Sequence, residues 1–251
     1  MLSANKVIHT ELKGYCRSCN ATHTLSSEAA YPACYTLMER LKNHRRIDFV
    51  HPNAACNARC STDYLFGDAR GKMFGVMVGL DEEGDQQVCY AFSGQYNGLW
   101  QVPGWTDPIF PVASFAELTC DTEKIIKQLG RAIKERAGLK EQQLLKRQRK
   151  ALSRSLMGKI FALYTLVNFK GEQATLEQVF LGNGIPTGTG DCCAPKLLNH
   201  AVRNNIIPLG IAEFYWGREN ASGNKQHGQF YPPCTEKCEP ILGFMLCGLR
   251  I

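Results

Sequence analysis

The 251-residue chain is 44% apolar and 21% charged, ordinary proportions for a globular protein, and no run approaches the roughly 18 apolar residues that a membrane span needs. A spanning role is thereby excluded, and the stretch MLSANKVIHTELKG lacks the apolar centre of a secretory signal, which predicts a cytoplasmic protein. Net charge is +6, but 12 of the basic residues crowd into 121–159 beside four acids, so the positive charge is local. Twelve cysteines in a reducing compartment point to metal ligation, catalysis or core filling rather than disulfides.

In chain order, residues 1–62 are cysteine-rich, with one amphipathic helical stretch through EAAYPACYTLMERLKNH. There Cys34, Leu37, Met38 and Leu41 share a stripe, so Cys34 reads equally as ligand or core. KMFGVMVGL, an acidic turn and QQVCYAFSGQY alternate as a hairpin. GLWQVPGWTDPIFP is a loop whose Trp100 and Trp105 are expected to close a core. Residues 121–157 predict a basic helical arm interrupted near Gly138, a connector whose Lys146, Arg147, Arg149, Lys150 and Arg154 offer an RNA-contacting face or simply a solvated surface. Beyond it, IFALYTLVNFK and ATLEQVFLG predict a hairpin, and a glycine-rich loop, GNGIPTGTGD at 182–191, follows. CCAPKLLNHAVRN then predicts a helix, IIPLGIAEFYWG a buried strand and PPCTEKCEPILGFML a second helix. The expected organisation is therefore 1–120, 121–157 and 158–251.

Close cysteine pairs let two thiolates reach one ion from a tight turn. Cys16-x2-Cys19 with Cys56-x3-Cys60 predicts one structural Zn2+ site, with His23 and Cys34 as competing ligands. A second set is Cys192, Cys193, Cys234 and Cys238, at the starts of two helices whose N-terminal partial charge favours thiolates. Cys89, Cys120 and Cys247, each in or beside an apolar run, are expected in the core. Glu213 lies among apolar neighbours and needs a partner, while Asp191 and His227 are candidates for proton transfer or ligation, or for helix capping and a polar loop.

A hairpin followed by Cys-bearing helix, strand and Cys-bearing helix resembles the layout of the cytidine deaminase superfamily. That resemblance implies a zinc-bound water and a glutamate proton carrier. The His/Cys-x-Glu motif is not met at Cys192 or Cys193, and Pro233-Cys234-x3-Cys238 is one residue longer than the family's Pro-Cys-x-x-Cys. GTGDCCAPKLLNHA, PLGIAEFYWG and GQFYPPCTEKCEPILGFMLCGL resemble the N-terminal region preceding the catalytic domain of some bacterial pseudouridine synthases of the large-subunit ribosomal type. KMFGVMVG, AFSGQYNG and IFALYTLVNFKG extend the likeness over about residues 70–251. No Arg-Leu-Asp tripeptide occurs, so the resemblance implies an accessory region without pseudouridylation activity.

The expected fold is α+β or α/β: a small N-terminal zinc-bearing sheet, a basic helical connector and a C-terminal three-layer deaminase-like module. Two functions are expected to compete. One is a zinc-binding, RNA-associated accessory protein. The other is a zinc hydrolase acting on a nucleobase or related amine, a small-molecule substrate, with Cys192 or Cys193, Cys234 and Cys238 as ligands, Asp191 or Glu213 as proton carrier and an open fourth coordination position.

Overall fold

The computed structural model describes residues 10–49, 57–135 and 138–250, and within them the chain is mixed α/β. Strands β1 (Glu11–Cys16) and β2 (Ala21–Ser26) form an antiparallel hairpin, with Cys16 opposite Ala21 across a four-residue turn. Asn20 closes that turn at φ 55°, a conformation Asn tolerates better than most side chains. Helix α1 (Tyr31–His44) follows, opened by a proline in its first turn and ended by Arg45 at φ 53°.

The central sheet has the order β4-β3-β7, from β3 (Lys72–Leu80), β4 (Gln86–Phe92) and β7 (Ile207–Trp216), and both pairings are antiparallel. Because side chains alternate along a strand, Phe74, Val76 and Val78 point to one face of β3 and Gly75 and Met77 to the other. The first face joins Phe92, Phe214 and Trp216 in a core under α1, and the second joins Ala91 and Ile211 in a core that includes the later helices. β3 is central and covered on both sides, which explains its nearly unbroken apolar sequence.

Two long helices, α2 (Val112–Glu135) and α3 (Leu139–Phe161), pack on each other. The hairpin β5 (Thr165–Val167) and β6 (Gln173–Thr175) and the short α4 (Leu176–Val179) come next. Helix α5 (Cys193–Arg203) lies on the second face of the sheet and α6 (Glu239–Leu246) packs on β1. Among the described residues no helix is long and apolar enough to cross a membrane.

Three sequence expectations change. β3 and β7 lie on opposite sides of the expected boundaries at 120 and 158 yet share one sheet, and α6 packs on the N-terminal hairpin, so those boundaries do not separate the layers. The hairpin expected across IFALYTLVNFK and ATLEQVFLG shrinks to three residues per strand. Ile160 and Phe161 continue α3, and Leu176–Val179 turns helical under a capping box between Thr175 and Gln178. Cys120, expected in the core, is exposed on α2. Trp105 is buried and donates to the Ile47 carbonyl at 2.9 Å, and Trp100 packs edge-on to Phe110.

Candidate metal centres

The tight turn of the β1–β2 hairpin brings Cys16 and Cys19 together, and β2 returns His23 to the same place. The Cys19 sulfur lies 3.0 Å from His23 Nε2 and 3.6 Å from the sulfur of Cys247, the residue that ends α6. Cys16, Cys19, His23 and Cys247 all present ligand atoms within 4.8 Å of one another, so the four could hold a metal ion. Burial pushes the Cys16 thiol up, but donors from Cys19 and Cys247 outweigh it and the net shift is downward, toward the thiolate a metal needs. Cys247 is pushed up to about 12, first by burial and then by its two thiol neighbours.

The second cluster is Cys192, Cys234 and Cys238, with sulfurs 3.9 Å apart for Cys192–Cys234 and 3.3 Å for Cys234–Cys238. Cys192 caps the start of α5 and Cys238 the start of α6, while Cys234 is exposed on the segment before α6. Bonds from Cys192 and Cys238 pull the Cys234 thiol far down, and the same bonds with burial push Cys192 and Cys238 up. Cys193, expected in this set, is turned away. It is fully buried against β3, directs its sulfur to the Met73 carbonyl at 3.5 Å, and sits where a Cβ at Gly75 would come within 2.5 Å of its own Cβ. The helix boundary separates the two: Cys192 is still extended, at φ -72° and ψ 167°, whereas Cys193 is the first residue of α5 and faces the sheet.

No family model, curated protein or solved structure matches this chain. Its chemistry therefore has to be read from the side chains themselves.

Glu213 finds the partner it needed. It lies on the β7 face toward α5, 5% exposed, and accepts a 2.8 Å hydrogen bond from the Ala194 amide in the first turn of that helix. Burial nevertheless raises its carboxyl to about 7, and Cys234 adds to the rise. The folded-state value stands above the ordinary 4.5, so folding favours the protonated form and stability is lost as pH climbs through about 7. Glu213→Gln keeps an acceptor for the amide and removes the charge. It should stabilise the fold at pH 8 by about 2–3 kcal/mol, and by less than about 1 kcal/mol at pH 5, compared in urea titrations at the two pH values.

The remaining candidates lie elsewhere. Asp191 does not cap α5; its carboxylate accepts a 2.6 Å bond from the Tyr164 hydroxyl, and burial raises it. His227 packs on Trp216, 4.2 Å between ring centroids, and its Nδ1 accepts from the Gly217 amide at 3.1 Å. Trp216 belongs to the face opposite Glu213, so His227 is not part of the cysteine cluster. Cys34 is fully buried under the sheet with its sulfur toward the Ala212 carbonyl, which settles its ambiguity as core. Cys60 is buried in that same core, pushed up to about 11 first by burial and then by the neighbouring Asp48 carboxylate, and it belongs to no group of three or more ligands among the described residues; its expected partner Cys56 lies outside them. Cys89 is half-buried against the other core.

One residue that sequence reasoning missed is Cys247. It is as buried as its apolar surroundings imply, at 1% exposure, yet its sulfur also joins a group that could hold a metal ion. Another is Lys196, almost fully buried, which donates to the carbonyls of Phe92 and Gly94 at 2.9 Å each and lies over the Phe92 ring. It lies off the apolar stripe of α5, so only the packing of that helix places it inside; burial lowers it to about 8.

On α3, Lys146, Arg149, Lys150 and Arg154 line an open cleft of about 1020 Å3 shared with the glycine-rich loop, while Arg147 is exposed outside its lining.

Proposed function

We propose that the chain is a zinc-binding, RNA-associated accessory protein, related to the region that precedes the catalytic domain of large-subunit-type pseudouridine synthases and without their catalysis. The observation that carries the RNA reading is the row of four cations on one side of α3, gathered at a cleft instead of being scattered over solvent. Clustered Lys and Arg gain affinity for phosphates by releasing counterions. Zinc is supported by the donor chemistry. Thiolates with one imidazole suit Zn2+ and disfavour Mg2+ or Ca2+, and the observed sulfur separations of 3.3–3.9 Å bracket the edge of about 3.8 Å for tetrahedral Zn–S bonds. In this reading the Cys16, Cys19, His23 and Cys247 site is closed and structural.

The RNA reading predicts a steep fall of affinity for an RNA oligonucleotide with added salt. Reversing Lys146 and Lys150 to Glu should reduce the slope of log K against log salt by about two units, measured by fluorescence anisotropy. Absence of RNA binding at low salt would remove the RNA part.

A second reading has its own support. The exclusion of Cys193 leaves three cysteine ligands, and three protein ligands plus an open position are the arrangement of catalytic zinc. Glu213 is near enough for its charge to raise Cys192 and Cys238. A zinc hydrolase acting on a nucleobase or related amine would release ammonia, and both Cys234→Ser and Glu213→Gln should abolish that release. A zinc-loaded protein inert toward nucleosides, free bases and RNA would end this reading.

A further inference from the structure

We propose that the cleft between α3 and the glycine-rich loop takes unpaired nucleotides of an RNA chain, with phosphates on its rim and a base on its floor. The inference rests on the RNA reading above and specifies the form of RNA. Lys146, Arg149, Lys150 and Arg154 are spaced by three, one and four residues, which puts them along one side of the helix. All four are exposed, with room to follow a backbone. Beneath them the lining turns apolar through Met157, Phe161, Phe180 and Ile185. These are less exposed than the rim and continuous with the core.

A paired A-form helix offers such a surface its phosphates and sugars, since its base faces are stacked and its major groove is too narrow to enter. Unpaired nucleotides offer a planar face as well, and stacking on an aromatic or apolar platform is worth roughly 1–3 kcal/mol per base. The opposite wall carries glycines, which leave the space above the floor open. Gly184, at φ 81°, has nothing within 4 Å of where a side chain would start, and a Cβ at Gly182 would come 2.8 Å from the Phe180 ring. Side chains there would fill the space above the floor. Glu177 is the one acid in the lining. It accepts but cannot donate, so it suits a base amino group and repels a phosphate.

The test is anisotropy with one short labelled RNA, single-stranded and then annealed to its complement, on the full chain. At least about tenfold tighter binding of the single strand is expected. Phe161→Leu should cut that preference with the salt slope unchanged, and Lys150→Glu should weaken both forms together. A far-ultraviolet spectrum checks that each variant is folded. Equal affinity for strand and duplex overturns the proposal and leaves the RNA reading standing. No binding of either form overturns the RNA reading itself.

A separate observation concerns the two cysteine clusters. Cys238 and Cys247 flank the same eight-residue helix, one at each end of α6. They are nine residues apart, about 13 Å of helix. Cys247 fixes the end of α6 to the β1–β2 hairpin through the first cluster, and Gly243 meets the backbone of Gly14 and Tyr15 too closely for any Cβ. One short helix thus carries a ligand of each cluster. We infer that metal at either site raises the affinity of the other, given the zinc reading. Competition with a chromogenic chelator should show Cys16→Ser losing one zinc and holding the second about tenfold more weakly, and Cys192→Ser the reciprocal effect. The unmodified chain should bind its two zincs cooperatively, which needs no folded variant. Independent, equal-strength binding overturns the coupling, whereas no zinc in the unmodified chain overturns the metal reading.

Discussion

Gly243→Ala should destabilise the protein by about 3 kcal/mol or more, although alanine is the better helix former. On an open helix the exchange would favour the variant by roughly 1 kcal/mol. Here a Cβ at Gly243 would fall well inside 3.0 Å of the Tyr15 carbonyl and the Gly14 carbonyl carbon, and one at Gly14 would do the same to the Gly243 amide. The opposing atoms are all backbone in a hydrogen-bonded strand, so no rotamer change relieves the overlap, and overpacking of this kind typically costs 1–3 kcal/mol even with relaxation. α6 and β1 would have to part, and Cys247 would part from Cys16 and Cys19. Gly158→Ala in α3 meets nothing within 4 Å and serves as the control, expected neutral or stabilising. Urea titration of the two variants gives effects of opposite sign if close approach decides, and of the same sign if helix propensity does.

On the proposed zinc reading, stripping the metal should lower the melting temperature by more than about 10 °C and make six thiols reactive together: Cys16, Cys19, Cys247, Cys192, Cys234 and Cys238. Structural zinc contributes binding free energy of order 10 kcal/mol in small modules, and much of it reappears as folding stability. The loss should be large here because the first site joins residues 228 apart, Cys19 and Cys247, and without the ion it leaves thiols crowded at one point. Added Zn2+ should restore both readouts, and Mg2+ or Ca2+ should not, because neither prefers thiolates. A calorimetric scan and a thiol-reactivity assay on native, chelated and reloaded protein give the answer. Unchanged melting after verified zinc removal would mean that packing, not metal, holds the hairpin to α6.

Much of this architecture is written locally. Alternation in KMFGVMVGL and QQVCYAF, the stripe of Leu197, Leu198 and Ala201 behind Pro195, and the break at Gly138 each depend on neighbours within a few residues, and the corresponding strands and helices form where that pattern places them. The tight Cys16–Cys19 turn and the wide Cys234–Cys238 spacing are local in the same sense. The strip of cations on α3 is also visible in the sequence, as a composition.

Only the tertiary structure decided how these pieces combine. The pairing of β3 with β7 lies outside any local window, and it dissolved the expected separation between N- and C-terminal regions. His23 and Cys247 complete the first cluster because a hairpin and a helix end meet, and a cysteine in LGFMLCGL looks the same in sequence whether it fills a core or holds a metal. Cys192 and Cys193 are adjacent and chemically alike, yet one, still extended before α5, faces Cys234 and Cys238 while the other, first in the helix, is pressed against Gly75. Sequence thus determined the kinds of element and the supply of ligands, because periodicity and turn chemistry are short-range. Which of them lie close enough to hold one ion was set by packing, because close approach between distant segments depends on where a side chain is missing as much as on where one is present.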